Sequence, residues 1–558
     1  MPDLVLEQRL RELCFVGTER DARLDLDLAR IREAQATNWR QVTLAWFSDH
    51  SSEGHSRRII ELLAKAFDGE DLLTRNELFV LLAACYLHDL GMQDAKIDGR
   101  GIEEMTSQDW DLVRERHPEW SRKLIIDRTL ARLRDQFEIG LPANSDFLEP
   151  IAIVAESHGS RFFDDDVLEL RERKLRPGND DARLPAVAAM LMMADELDLH
   201  GARVADVWPQ DTHDLSPTGQ LHFYVHQYVT TVDFVRRTPT SIRHIFIRLS
   251  FPESSDEYRA GVSEWLARRL LKQARRSNAV LIDELDGAFA WGPKILLDSE
   301  VVEGPIFRDL PDAARRRLAV ELARDRLIDR TQIRDEIETG IRERADKLTI
   351  VGLRDERDSD AGYLLQWTLA LAASESVIAL HLDLTARLGY DVRDLPEVFR
   401  SLVAADAGPS KSVVATGPER HLDVGLISRA RTPNDLQDAV LGAVGAGAAI
   451  LLLQNPSAAT KEVESWCEAL LQRAATLTNG FIVVIDGSKL NLPESASVHR
   501  LKPFRAKHLA LHLTRVLGYK YEEAAAEAEM LCRLANGASN RILYEMLRRV
   551  TAFVEPSL

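Results

Sequence analysis

Apolar positions recur at helical spacing through most of the first 205 residues, and they predict the elements that matter most. Residues 1–40 alternate charged and apolar side chains, as in LEQRLRELCFVG and LDLDLARIREAQ, and read as helices packed on the domain that follows. Residues 41–205 read as an almost wholly helical domain. Its organising stretch is Leu81–Met92, LLAACYLHDLGM, a run apolar on every side and therefore a buried helix. The run ends by setting His88 and Asp89 side by side before Gly91, which stands where a helix C-terminus favours positive φ. Pro118, after His117, reads as the first turn of another helix. DFLEPIAIVAESHGS puts His158 at a helix C-terminus before Gly159. RLPAVAAMLMMADELDL is apolar except for Asp195 and its acidic neighbours Glu196 and Asp198.

The pattern changes after residue 205. In 206–305, HFYVHQYVTTVDFV and SIRHIFIRLSF alternate like strands and predict a hairpin or small sheet, followed by an amphipathic helix over EYRAGVSEWLARRLLKQARRSNAVLIDEL. His213, His222, His226 and His244 fall here and read as surface or structural histidines. Residues 306–347 are a charged helical stretch, read as a linker with a solvated face. In 348–500, four short apolar runs, LTIVGL, SVIALHLDL, GAAILLLQN and GFIVVIDGS, alternate with helical segments and predict a parallel sheet with helices on both faces. Residues 501–558 read as a small helical bundle. The fold class expected is multidomain and mainly α: an all-α domain with an α+β extension, then an α/β P-loop-like domain with a helical lid.

That C-terminal sheet and lid resemble the AAA+ and STAND NTPases, including the Gln454-Asn455 pair after the third run and Asp486 after the fourth. The phosphate loop is absent: LTIVG is followed by LRDERDSDAGYLLQW, and no lysine occurs from Leu348 to Ser410. A Walker A loop needs backbone amides and a lysine on the phosphates. Arg354, Asp355, Glu356, Asp358 and Asp360 supply mostly negative charge instead, so the module reads as degenerate, used for contacts or assembly.

At 558 residues the chain exceeds one typical core, and its 45% hydrophobic and 29% charged content fits an ordinary globular protein. The formal charge of −18 argues against a surface that coats nucleic acid. Cys14, Cys85, Cys467 and Cys532 lie far apart, with no zinc-ribbon or disulfide spacing. The charged N-terminus is unlike a secretory leader, and no apolar run reaches the roughly 20 residues of a membrane span, so the expected compartment is the cytoplasm.

The candidate chemistry is a set of separated imidazoles and carboxylates. A buried His88-Asp89 pair must hydrogen-bond or hold a cation. Around it in sequence stand DHSSEGHSRRI with His50 and His55, RERHPEWS with His117, ESHG with His158 and ADELDLHGARV with Asp195 and Arg203. These five segments, in this order, resemble the HD superfamily of metal-dependent phosphohydrolases, whose core pattern is H…HD…D. Within it they look most like the HD-CE group, an HD domain with a C-terminal extension, named from bacterial conflict systems. The resemblance implies His55, His88, Asp89 and Asp195 on one divalent ion, with His117 and His158 completing a second site bridged by Asp89. It implies catalytic roles for Asp89, His117 and His158, and a phosphate clamp at Arg203, whose guanidinium matches phosphate bidentately. His50 reads as a support for the ligands or a phosphate contact. The same residues also admit quieter readings: caps at His117 and His158, a core salt bridge at Arg203. The donor set suits one or two ions of Mn, Fe, Co, Ni or Mg. Two ions would clamp a phosphate and acidify a water.

The expected function is hydrolysis of a phosphoester in a nucleotide or nucleotide-derived signal, in a bacterial defence or regulatory setting. An HD-type nuclease on single-stranded DNA or RNA and a non-catalytic metal-binding sensor or scaffold are the alternatives. HDLGM lacks the lysine of some phosphodiesterase branches and no GYP motif follows, which disfavours a cyclic-di-GMP phosphodiesterase. Expected partners are the phosphoester substrate, an Hsp90-like ATPase or other protein on the C-terminal module, and a second copy of the chain as a homo-oligomer; no membrane is expected.

Overall fold

A computed structural model of the chain describes residues 4–15, 22–41, 50–92, 107–127, 144–159, 181–205, 217–236, 242–252, 255–297, 309–325, 330–355, 361–375, 377–384, 392–396, 429–454, 460–486, 490–501, 505–534 and 554–556, with positions 140, 142, 176, 177, 327 and 328. His213, the acidic residues Glu356, Asp358 and Asp360, Asn455, and most of the tail beyond residue 534 lie outside the described residues. The chain divides into two compact units, Met1–Ala314 with Arg515–Lys520 and Arg549–Leu558, and Arg315–Thr514 with Tyr521–Arg548. Among the described residues no helix is long and apolar enough to cross a membrane.

The first unit is built on two helices that bury nearly all their side chains. In α4 (Arg75–Leu87) every residue from Asn76 to Leu87 is buried, and in α7 (Leu184–Leu197) every residue from Leu184 to Ala194 is. Such all-round apolar helices can sit only where other helices cover each face. α1 (Val5–Phe15), α2 (Ala22–Gln41), α3 (Arg57–Phe67) and α6 (Leu148–Glu156) pack around α4, while α5 (Ser107–Ile126) packs on α6. The first forty residues thus belong to this unit: Tyr86 of α4 donates to the buried Glu7 of α1 at 2.8 Å.

One ionic knot fixes where α4 and α7 begin. Thr74 and Glu77 form a capping box, with Glu77 N–H on Thr74 Oγ1 at 3.3 Å and Thr74 N–H on Glu77 Oε2 at 2.8 Å. Arg183, just before α7, grips the same carboxylate through its backbone N–H at 2.7 Å, Nε at 2.9 Å and a terminal nitrogen at 2.7 Å. Burial alone would raise the Glu77 carboxyl, but the Arg183 hydrogen bonds outweigh it and hold the group below its ordinary range.

After α8 (Ala202–Ala205) the chain forms α9 (Pro217–Tyr228), β1 (Val229–Arg236), β2 (Ile242–Leu249), α10 (Arg259–Glu284) and β3 (Ala290–Leu297). The segment HFYVHQY, expected as a strand, is helical: it closes α9, and the strand starts at Val229. β1 and β2 make the expected antiparallel hairpin, and α10 carries the chain across to β3, parallel to β2. The last strand, Val554–Pro556, pairs parallel with β3, an addition the helical reading of the tail did not contain.

The second unit is a parallel five-stranded sheet between helical layers. Its strands are β4 (Leu348–Asp355), β5 (Ile378–Asp383), β6 (Ala449–Gln454), β7 (Gly480–Asp486) and β8 (Ser497–Leu501), in the spatial order β5-β6-β7-β4-β8. Alternate residues face opposite layers. Leu451, Leu453, Ile482 and Val484 meet Pro433–Gly445 and Lys461–Ala474, whereas Ile450, Leu452, Phe481 and Val483 meet Thr331–Glu343 and Ala361–Ser374. The charged stretch read as a linker therefore carries a buried stripe, Ile333, Ile337 and Ile341, on the sheet. Its Gly340 lies so close to β7 that a Cβ would fall 2.3 Å from the Phe481 ring.

Because Glu77 is buried and held by both helix starts, Glu77→Ala should destabilise the first unit by about 2–3 kcal/mol. Amide exchange in α4 and α7 should accelerate accordingly, with exchange in the β4–β8 sheet unchanged.

Candidate metal centre

A helix leaves its last four carbonyls without intrahelical donors. α4 stops at Leu87, and His88, next in the chain, turns its Nδ1–H back onto Cys85 O at 3.0 Å. α6 stops at Glu156, and His158 does the same to Ala155 O at 2.5 Å. His117 repeats the contact inside α5, on Arg114 O at 2.7 Å. Pro118 explains this one: it sits mid-helix rather than in the first turn, as expected, and with no N–H it leaves the Arg114 carbonyl free. His55 lies in a tight π-type turn, Ser52–Ser56, and its Nδ1 meets the Asp198 carboxylate at 2.6 Å. Asp198 is itself held by Arg58 at 2.8 Å.

With each Nδ1 spent on an acceptor, each Nε2 points inward. His55 Nε2 and His88 Nε2 stand 3.2 Å apart, and His117 Nε2 and His158 Nε2 stand 2.7 Å apart. Asp89 lies between the pairs. Its Oδ2 is 3.3 Å from His88 Nε2 and 3.4 Å from His55 Nε2; its Oδ1 is 3.2 Å from His117 Nε2 and 3.7 Å from His158 Nε2. Asp195 Oδ1 joins the first pair, 3.2 Å from His55 and 3.9 Å from His88. Facing lone pairs at such distances need a proton or a cation between them, so the donor set fits a metal. Groups able to hold an ion include His55 with His88 and Asp195, and His88 with Asp89 and His158.

The glycine after the pair acts differently from expectation. Gly91 has no positive φ; it permits close approach, since a Cβ there would fall 2.3 Å from His117 O. Ser121 of α5 locks the same turn, donating to His88 O at 2.5 Å and accepting Gly91 N–H at 2.8 Å. The turn carrying His88 and Asp89 is thereby fixed to the helix carrying His117.

Charges follow from burial and neighbours. Burial alone would lower His88, but the Asp89 and Asp195 carboxylates outweigh it and lift the imidazole to about 9. Burial and the adjacent His88 and His117 push His158 down to about 3. Burial opposes ionisation of Asp89 and Asp195, yet the surrounding imidazoles hold both well below the carboxylate range. A proton on His88 is thus the charge stand-in for a cation.

Residues 44–276 match the HD-CE family model. The match supports an HD-type domain, and the His/Asp cluster lies inside it. No curated protein and no solved structure matches the chain. Within the matched residues, His50 sits 2.8 Å from Asp89 Oδ2, and burial pushes it down to about 4. Arg203 is buried, with one terminal nitrogen on Asp198 O at 3.0 Å and the other 3.2 Å from His50 Nδ1. All eight residues singled out in the sequence meet around one site. A cavity of about 450 Å³ opens on it, with His50, Asp89, His117, His158, Asp195 and Arg203 in its wall. Sequence reading gave Asp198 no role and passed over Ser121 and Arg58. The i, i+3 spacing of Asp195 and Asp198 was a signal for the first; no local pattern announces the other two.

Two outcomes follow. Ser121→Ala, which unlocks the turn without touching a donor atom, should weaken metal retention by roughly tenfold or more, read as metal content after dialysis against a chelator. Metal uptake must displace the His88 proton, while Asp89, Asp195 and His158 have none to lose near neutrality. Calorimetry in buffers of different ionisation enthalpy should show net proton release on metal binding, with affinity rising as pH rises toward about 9, where His88 gives up its proton without help from the metal.

Proposed function

We propose that the HD-CE segment is a metal-dependent phosphohydrolase acting on a phosphoester of a nucleotide or nucleotide-derived signal. The observation that carries this reading is Asp89, each of whose oxygens faces its own pair of imidazole Nε2 atoms. His55, His88, Asp89 and Asp195 would hold one ion, and Asp89, His117 and His158 a second. Such ions supply a Lewis acid and an acidified water. The chain's own part is positioning. Arg203, oriented by Asp198 O and placed at the cavity wall, presents a cation to the phosphate. His50 hydrogen-bonds Asp89 and fixes the orientation of that carboxylate. The buried helices α4 and α7 hold the ligand frame rigid behind it.

We read the second unit as a degenerate NTPase-like module used for contacts. Its strand order, with the first strand between the fourth and fifth, supports that reading, as does the absence of lysine from Leu348 to Ser410. A role in bacterial defence or regulation rests on the resemblance to conflict-system proteins.

The test is metal-loaded full-length protein offered mononucleotides, cyclic dinucleotides and single-stranded DNA. Phosphate release from nucleotides should fall by roughly a hundredfold or more in Asp89→Ala; undiminished release would sink the assignment. Shortened oligonucleotides would indicate a nuclease instead, and silence with every metal a binding protein.

A further inference from the structure

The cavity that opens on the histidines is also walled by α9 and α10. We infer that the α9–α10 wall is a subsite for an uncharged aromatic ring joined to the scissile phosphate. The site would then take single phosphate esters of nucleoside-like size rather than polyphosphate chains or nucleic-acid strands. This rests on the phosphohydrolase reading and adds the substrate class.

The wall presents His222 and Phe223 from α9 and Trp265, Arg269 and Gln273 from α10. Trp265 is half-buried, edge-on to His222 with ring centroids 5.0 Å apart. Arg269 is the only wall cation among these five residues, and it is neutralised by Glu196 through contacts of 2.8 and 3.1 Å. Its remaining terminal nitrogen donates to His222 Nδ1 at 2.8 Å, and its guanidinium lies 5.8 Å from the Trp265 ring centre. Burial, then Arg269, keeps His222 well below its usual range, so that ring is neutral too. A further phosphate placed here would meet a guanidinium already paired with Glu196, whereas a flat neutral ring would meet aromatic surface. The phosphate itself belongs with Arg203 and the imidazole–carboxylate cluster.

Size and rim point the same way. A cavity of about 450 Å³ fits one small ligand. The rim on α5 and α6 bears Glu115, Glu119 and Glu156 beside Arg114, where a polyanionic strand would need a continuous basic track.

The experiment compares kcat/KM of the manganese-loaded full chain for adenosine 5′-monophosphate, glycerol phosphate and tripolyphosphate. The nucleotide should be preferred by roughly tenfold or more. Trp265→Ala should bring the nucleotide-to-glycerol-phosphate ratio to within about twofold by raising KM for the nucleotide, and Trp265→Phe should restore most of the preference. An unaltered ratio in Trp265→Ala, or faster cleavage of tripolyphosphate by the wild type, overturns the subsite. Should Trp265→Ala not fold, His222→Ala takes its place in the comparison. Calorimetric titration with adenosine 5′-monophosphate separates the two readings. If no ester is cleaved, the hydrolase reading fails, while nucleotide binding weakened roughly tenfold by Trp265→Ala still supports the subsite. Equal affinity in the variant, or no binding by the wild type, overturns it.

Discussion

Imidazole nitrogens with lone pairs facing each other at 2.7 and 3.2 Å repel unless positive charge lies between them, and the helical domain enforces two such pairs. The enforcement is a matter of hydrogen-bond accounting in the backbone. Two helix ends and one proline leave carbonyls without their usual donors, and His88, His158 and His117 fill the gaps with Nδ1–H. The tautomer is thereby decided before any ion arrives, and the Nε2 atoms have nowhere to point but inward. His55 reaches the same state through a carboxylate, Asp198, whose burial opposes ionisation but is outweighed by His55 itself, with Arg203 and Arg58 adding to it.

Rigidity behind the ligands has the same local character. α4 and α7 are apolar all round, so the ends that bear His88, Asp89 and Asp195 can move only with the whole bundle. Their starts share the Glu77 carboxylate, and the turn after α4 is tied to α5 through Ser121. Gly91 matters because the backbone of His117 lies where a side chain would be. The cavity that results is lined both by the ligands and by α9 and α10, so the extension after the helical domain forms part of the site's wall.

Much of the fold could be read from periodicity where the elements are long. The apolar runs that became α4 and α7, the parallel strands beginning at Leu348, and the hairpin before α10 all follow from local pattern. The errors came where tertiary packing overrides pattern. HFYVHQY alternates like a strand yet is helical, with nearly every side chain covered. The stretch 331–343 looks solvated because its charges outnumber a stripe of three isoleucines that the sheet buries. The final strand is three residues long and is defined only by its partner, β3.

The sequence by itself determined which donor atoms this protein owns and in what order: His55, His88, Asp89, His117, His158 and Asp195. Those are properties of single segments, and single segments are what a one-dimensional pattern records. Tertiary structure alone decided that the two oxygens of Asp89 face different imidazole pairs, that Asp198 and Ser121 position them, and that Trp265 and His222 line the same cavity as the site. The physical reason is that those contacts join residues some 30 to 180 positions apart, whose meeting depends on how the helices pack rather than on any neighbour in the chain.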